Sequence, residues 1–232
     1  MRETATTGNV GTGVDLYARW VLANAAGEGV GLGLTALIFA STILYAGEGS
    51  GPLAALALAA LAILAGTFVE GSVVGTAQWL VLRAPLPSLR WRTWAVATGV
   101  GAFVAWTLGM VPSTALSFGG GREQAAEPPL VAMLGLAFLM GLVLGPVLGF
   151  AQWVVLRRFV GRAWLWMPAS ALAWALGMVV IFGGVELAVG DGFGAGTVAL
   201  LAATLVCAGA VVGAVPGAAL LVMLRNARGV KG

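Results

Sequence analysis

The chain has 232 residues, 60% hydrophobic and only 9% charged, with a formal net charge of +3 and a pI near 9.8. A soluble domain carries roughly 25% charged residues, so this composition excludes a surface covered by water. The cations cluster between apolar runs, which excludes reading the basic pI as affinity for nucleic acid, and the single cysteine, Cys207, excludes an intramolecular disulfide.

In chain order, a polar tail at 1–17 is followed by six apolar stretches: Trp20–Tyr45, Leu53–Val69, Trp94–Val111, Leu130–Leu156, Trp164–Val185 and Ala195–Leu224. Crossing a bilayer as a helix takes about 20 residues. The first stretch is too long for a signal h-region and has no A-x-A exit, so it reads as a span. The stretches are continuously apolar and do not alternate, which argues for helices over a strand barrel. The expected fold is all-α: a polytopic membrane protein with six transmembrane helices. A Gly-, Pro- and charge-bearing excursion is expected from Pro112 to Pro129, around Gly119–Gly121, and a second flexible turn from Val189 to Gly196.

The spans repeat. VGTAQWLVLR at 74–83 returns as LGFAQWVVLR at 148–157 and as PGAALLVMLR at 216–225. Gly71 and Gly75, Gly145 and Gly149, and Gly213 and Gly217 form a G-x-x-x-G pair in each copy. Residues four apart share a helix face, and small residues let helix backbones approach closely where lipid removes the hydrophobic drive. The odd-numbered spans repeat too, as WVLANAAG from Trp20, WAVATGVG from Trp94 and WMPASALA from Trp166. The unit is a two-helix hairpin used three times, over 18–83, 84–158 and 159–226, with a second tail at 227–232. All hairpins start and end on the same side, so they are parallel repeats, and pseudo-threefold packing is the economical arrangement.

Eleven of the twelve cations fall on that shared side; Arg122 is the exception. This positive-inside pattern puts both termini in the cytoplasm of a bacterial-type inner membrane. The arginine rim also suits anionic lipid head groups. Trp91, Trp94, Trp164 and Trp166 lie beside arginines, and Trp79 and Trp153 lie four residues inside Arg83 and Arg157, which reads as an interfacial belt.

The repeated G-x-x-Q-W-x-V-L-R hairpin resembles a group of uncharacterised bacterial membrane proteins, and the resemblance covers most of the chain. That group has no assigned activity, so the resemblance implies the repeat architecture and no residue roles.

Glu70 and Glu28 stand out as candidate functional residues. Helical rise puts them about 20 Å and about 13 Å inside the arginine rim. A carboxylate at such depth costs several kcal/mol unless paired, wet or protonated, which marks it as a functional candidate. Both belong to the first hairpin; Leu144 and Val212 replace Glu70 in the others, and Ala102 and Trp174 replace Glu28. The competing reading is a carboxyl hydrogen-bonded to backbone, Asn24 or Gln78. Gln78 and Gln152 lie about 20° from the glycine face. They either line a passage, with Asn24 and its counterparts Thr98 and Ser170, or clamp hairpins together.

There is no histidine, no catalytic triad pattern and no ligand set for a metal or cofactor, so an enzyme is not expected. GEGVGLG at 27–33 follows no strand, so it is no dinucleotide loop. Two functional classes remain: a small transporter or channel-like protein for a proton, cation or small solute, or a non-catalytic accessory or scaffold subunit with a membrane-protein partner or further copies of itself.

Overall fold

The computed structural model describes residues 13–46, 51–118, 128–189 and 194–229. The described residues are helical throughout, joined by short turns, with no strand. Six helices are long and apolar enough to cross a membrane, as expected of a multi-pass integral membrane protein. They are α1 (Gly13–Ala46), α2 (Pro52–Leu82), α3 (Trp91–Phe118), α4 (Leu130–Leu156), α5 (Trp166–Val189) and α6 (Ala195–Gly229). A short 3₁₀ turn, Ala163–Leu165, leads into α5. Pro52 starts α2 at the first helical position, where a missing N–H costs nothing.

Two expected loops are shorter than the sequence suggested. Pro112 lies inside α3, which continues to Phe118; the rest of that excursion, including Gly119–Gly121 and Arg122, falls outside the described residues. A proline is tolerated within a span when nearby groups re-satisfy the freed carbonyls. The carbonyl that Pro112 frees is that of Leu108; the neighbouring Ser113 hydroxyl donates elsewhere, to the Met110 carbonyl at 2.9 Å. Likewise α5 reaches Val189 and α6 begins at Ala195, with 190–193 outside the described residues.

The helix α2 is interrupted by a π turn at Gly66–Glu70, where the Gly71 N–H donates to the Gly66 carbonyl. The extra residue changes which face points inward. On a regular helix Ala62 would lie about 160° from Gln78; one extra residue brings it to about 60°. Ala59, Ala62 and Ala65 are accordingly buried together with Glu70, Val74 and Gln78.

Each helix packs against its two neighbours in sequence, and α1 packs against α6, so the six close into a ring. Two kinds of contact alternate around it. Between hairpins the glycine rows carry the approach: Gly75 of α2 faces Ala95 of α3, Gly145 of α4 faces the Ser170 carbonyl of α5, and Gly213 of α6 faces Val21 and Asn24 of α1. Gly71, Gly149 and Gly217 continue the same rows against Gly99, Ser170 and Trp20. Within hairpins the small residues lie on the odd helices: Gly27 faces Val74, Gly101 faces Leu148, and Gly177 faces Val212. Leucine, valine and phenylalanine side chains such as Leu22, Leu37, Leu56, Phe68, Val131 and Leu187 cover the outside of the ring. An apolar exterior around a small and polar interior suits lipid as the surrounding solvent.

The densest packing lies at the arginine-bearing end. Trp20, Trp94 and Trp166 meet there with Leu82, Leu156 and Leu224, covered by Leu86, Leu89 and Val160 from the connections. The belt expectation therefore fails for Trp94 and Trp166, which are 0% and 1% exposed. Arg92, two residues before Trp94, is exposed in the first turn of α3 and Arg162 lies in the connection before α5, while both indoles sit on the inward helix face. Trp91 and Trp164 are exposed, as an interfacial residue would be. Trp79 and Trp153 are half-buried, each stacked beneath the guanidinium four residues on, Arg83 at 5.4 Å and Arg157 at 4.9 Å from the ring centroid. Cys207 faces outward rather than packing inside.

Candidate functional site

All six helices contribute to a small cavity on the ring axis, of about 20 Å³, room for one water. The odd helices reach it with residues spaced by four: Trp20, Asn24 and Glu28 on α1; Thr98 and Ala102 on α3; Trp166, Ser170 and Trp174 on α5. The even helices supply Glu70, Val74 and Gln78, then Leu148 and Gln152, then Val212 and Pro216. All five polar residues singled out from sequence, Asn24, Glu28, Glu70, Gln78 and Gln152, are buried around this one space.

On the arginine side, the cavity is closed by indoles and amides. Trp20 and Trp94 both meet Trp166 edge-on, with centroids 5.7 and 6.3 Å apart. Such edge-to-face pairs are preferred by the ring quadrupole. The Trp94 indole N–H donates to Gln78 Oε1 at 3.1 Å, and the Trp166 indole N–H donates to Gln152 Oε1 at 3.0 Å. Each glutamine turns its Nε2 to the odd helix of its own hairpin: Gln78 to Asn24 Oδ1 at 2.9 Å, Gln152 to Thr98 Oγ1 at 3.1 Å. Gln152 Nε2 also reaches Gln78 Oε1 at 3.0 Å, and Asn24 Nδ2 caps the Trp20 carbonyl at 2.8 Å. The two glutamines thus hydrogen-bond to one another and to neighbouring hairpins across the axis.

The third copy breaks the pattern. Leu220 stands where a third glutamine would, beside Trp20 in the same core. The Trp20 indole N–H is buried with no hydrogen-bond partner.

The carboxyl groups differ in their surroundings. Glu70 Oε2 accepts the Trp106 indole N–H at 2.9 Å. Glu28 Oε2 is buried with no partner. Sequence reasoning offered Asn24 or Gln78 as partners for both acids, but those amides bond each other, the Trp20 carbonyl and the Trp94 indole. Trp106 was missed. Its signal was the spacing by four of Trp94, Thr98, Ala102 and Trp106, which continues the inward column of α3 by one more turn. Glu186 is exposed toward the other end of α5.

Beyond the acids the axis widens into a chamber of about 340 Å³, formed by α1 to α5 and extending away from the arginines. Leu32, Trp106 and Met178, each twelve residues after an inward tryptophan, line it with Met110, Met140 and Phe182. Among the described residues, Glu70 is its one charged wall residue.

No family model, curated protein or solved structure matches the chain, so its chemistry is read from these residues alone.

Proposed function

We propose that the chain is a small transporter or channel-like protein in which Glu70 and Glu28 bind a proton or cation on the axis of a pseudo-threefold ring of three hairpins. One observation carries this reading: two carboxyl side chains, 5% and 2% exposed, share a cavity at the centre of a six-helix ring. A buried carboxyl group needs a proton, a cation or strong hydrogen-bond donors. Glu70 has one donor, and Glu28 Oε2 has none. Interiors of spans keep such groups where ions or protons move.

In this reading the indole and amide cluster is a gate at the arginine side, and the wider chamber is the antechamber at the other. The positive-inside rule places the arginine end in the cytoplasm of a bacterial-type inner membrane. Anionic lipid is the partner favoured at that rim, where Arg19 and Arg225, with the acid Asp15, line a cleft of about 700 Å³ with apolar walls from Leu22, Leu80 and Leu221. The accessory-subunit alternative, for which small-residue faces are one support, is less favoured, because the glycine rows face other helices of the chain itself.

The test is flux through the purified protein in liposomes, with proton and alkali-cation gradients applied in turn. Glu70→Gln is expected to cut flux at least about tenfold, the size of a lost charge-assisted contact. Wild-type-like flux from both Glu70→Gln and Glu28→Gln ends the proposal. Recovery from native membranes with a stoichiometric second protein, and no flux without it, would favour the accessory role.

A further inference from the structure

We propose that the chamber beside Glu70 is a binding site for lipophilic organic cations. The proposal deepens the cation reading above and rests on its assignment of Glu70.

Size is the first argument. A proton needs no chamber, and a single bound ion fills little of one. A space of about 340 Å³ falls in the range of pockets that take drug-sized ligands. The wall chemistry is the second argument. A bare metal cation wants several oxygen ligands, six to eight for calcium. The chamber presents few oxygens. Besides the Glu70 carboxyl there is the Ser113 hydroxyl, whose hydrogen is given to the Met110 carbonyl. What the wall does present is aromatic and thioether surface: Trp106, Trp174, Phe182, Met110, Met140 and Met178. Indole faces attract cations, most strongly when the cation is desolvated, and methionine adapts to varied shapes. One acid in an apolar, aromatic enclosure matches a ligand that carries one positive charge inside its own apolar shell.

The position of Glu70 adds the third argument. Of the residues described, it lines both the narrow axial cavity and the chamber, together with Ala102, Leu148 and Trp174. It is fixed by the π turn, and its Oε2 is oriented by Trp106, so the carboxyl sits at the junction of the two spaces. Glu28 is the other titratable side chain on the narrow cavity and is not on the chamber wall. A cation in the chamber therefore meets Glu70 first. Its arrival and the departure of a proton from that carboxyl would balance charge on the axis, which links the ligand to the proton reading.

The experiment compares two ions of the same shape and opposite charge, tetraphenylphosphonium and tetraphenylborate, by equilibrium dialysis against the purified chain, with protein-free detergent subtracted. Saturable binding of one phosphonium per chain, with the borate at least tenfold weaker, is expected. Glu70→Gln should remove that preference and Glu70→Asp should keep part of it. Ala105→Leu, which narrows the chamber and leaves Glu70 with its indole donor, should weaken the phosphonium without favouring the borate. Equal binding of the two ions would overturn the proposal, leaving a pocket for any lipophile, acyl chains included. So would the absence of saturable phosphonium binding. If Glu70-dependent flux of protons persists without phosphonium binding, the inference falls and the transport reading stands. If the phosphonium binds through Glu70 and no flux is found, the inference stands and the transport reading falls.

Discussion

A single side chain, Leu220, stands where the third copy of the repeated decapeptide loses its glutamine, and it leaves one indole without an acceptor. Gln78 accepts from Trp94 and Gln152 from Trp166, always the tryptophan of the following hairpin. Around the ring, the hairpin after the third is the first, and its tryptophan is Trp20, left with a buried unpaired N–H. An unsatisfied buried donor costs about 1–3 kcal/mol, offset in spans by the modest net worth of each hydrogen bond, about 0.6 kcal/mol on average. Leu220→Gln should therefore raise the midpoint of thermal unfolding in detergent, by an amount worth about 1 kcal/mol. A lowered midpoint would mean that Trp20 and Leu220 pack too closely to admit an amide. The comparison of Trp20→Phe with Trp166→Phe isolates the same term. Both lose indole area, but only the second strips Gln152 Oε1 of its indole donor, so it should cost about 1 kcal/mol more. The two inward indoles Trp94 and Trp166 were misread from sequence because an arginine two to four residues away looks the same for a belt residue as for a core one. Glu28 and Glu70 were conspicuous because an acid in an apolar run has few neutral explanations. Trp106 has no counterpart in the other copies, where Leu32 and Met178 stand, so repetition could not reveal it.

The elements repeat the same logic along whole faces. Gly145 and Gly135 lie on one helix, α4, but meet different surroundings. A Cβ at Gly145 would run into the Ser170 carbonyl and stand 2.9 Å from Ala171 Cα, both backbone atoms that can yield only by moving α5. A Cβ at Gly135 meets nothing within 4 Å. Gly145→Ala should thus destabilise by more than about 2 kcal/mol, as overpacked cores do. Gly135→Ala should be neutral or stabilise by up to about 1 kcal/mol through helix propensity. Paired melting curves of the two variants decide it; equal midpoints would mean that α4 and α5 can separate without loss. Close approach of this kind was legible from glycine spacing alone, and span number from bilayer length. The π turn in α2 was not legible. From Leu53 to Ala65 the stretch is alanine, leucine and one isoleucine on every side, so no polar residue marks an inward face before the turn and a 100° change of phase leaves no trace. The Gly71 N–H bond to the Gly66 carbonyl and the burial of Ala59 and Ala62 reveal it.

For the molecule as a whole, the ring implies that the order of hairpins matters less than their contacts. The interfaces between hairpins are three: α2 with α3, α4 with α5, and α6 with α1. The first two are bridged by the connections 83–90 and 157–165. The third has no connection within this chain, yet its glycine row is as closely seated: a Cβ at Gly209 would stand 2.6 Å from the Asn24 carbonyl oxygen. Gly13, at the start of α1, lies beside Leu221 and Arg225 of α6. If contacts between faces hold the ring, the bridge can be moved. A chain opened between Arg83 and Ala84, with α6 joined to α1 by a flexible linker, keeps every helix in its original orientation, because it is permuted by one whole hairpin. Leu86 and Leu89 stay attached to α3 and can still cover the tryptophans. This permutant should elute as a single species in detergent and melt within a few degrees of the parent. Opening the chain between α3 and α4 instead, so that α4 comes first, inverts the insertion order of every span and sets it against the arginine bias proposed to orient them. That second permutant should aggregate or fail to insert. If the hairpin permutant aggregates as well, the covalent connections rather than the glycine faces hold the hairpins together, and the three interfaces are not equivalent. If both permutants fold, the arginines do not fix the orientation, and the proposed cytoplasmic placement of the indole and amide cluster loses its support.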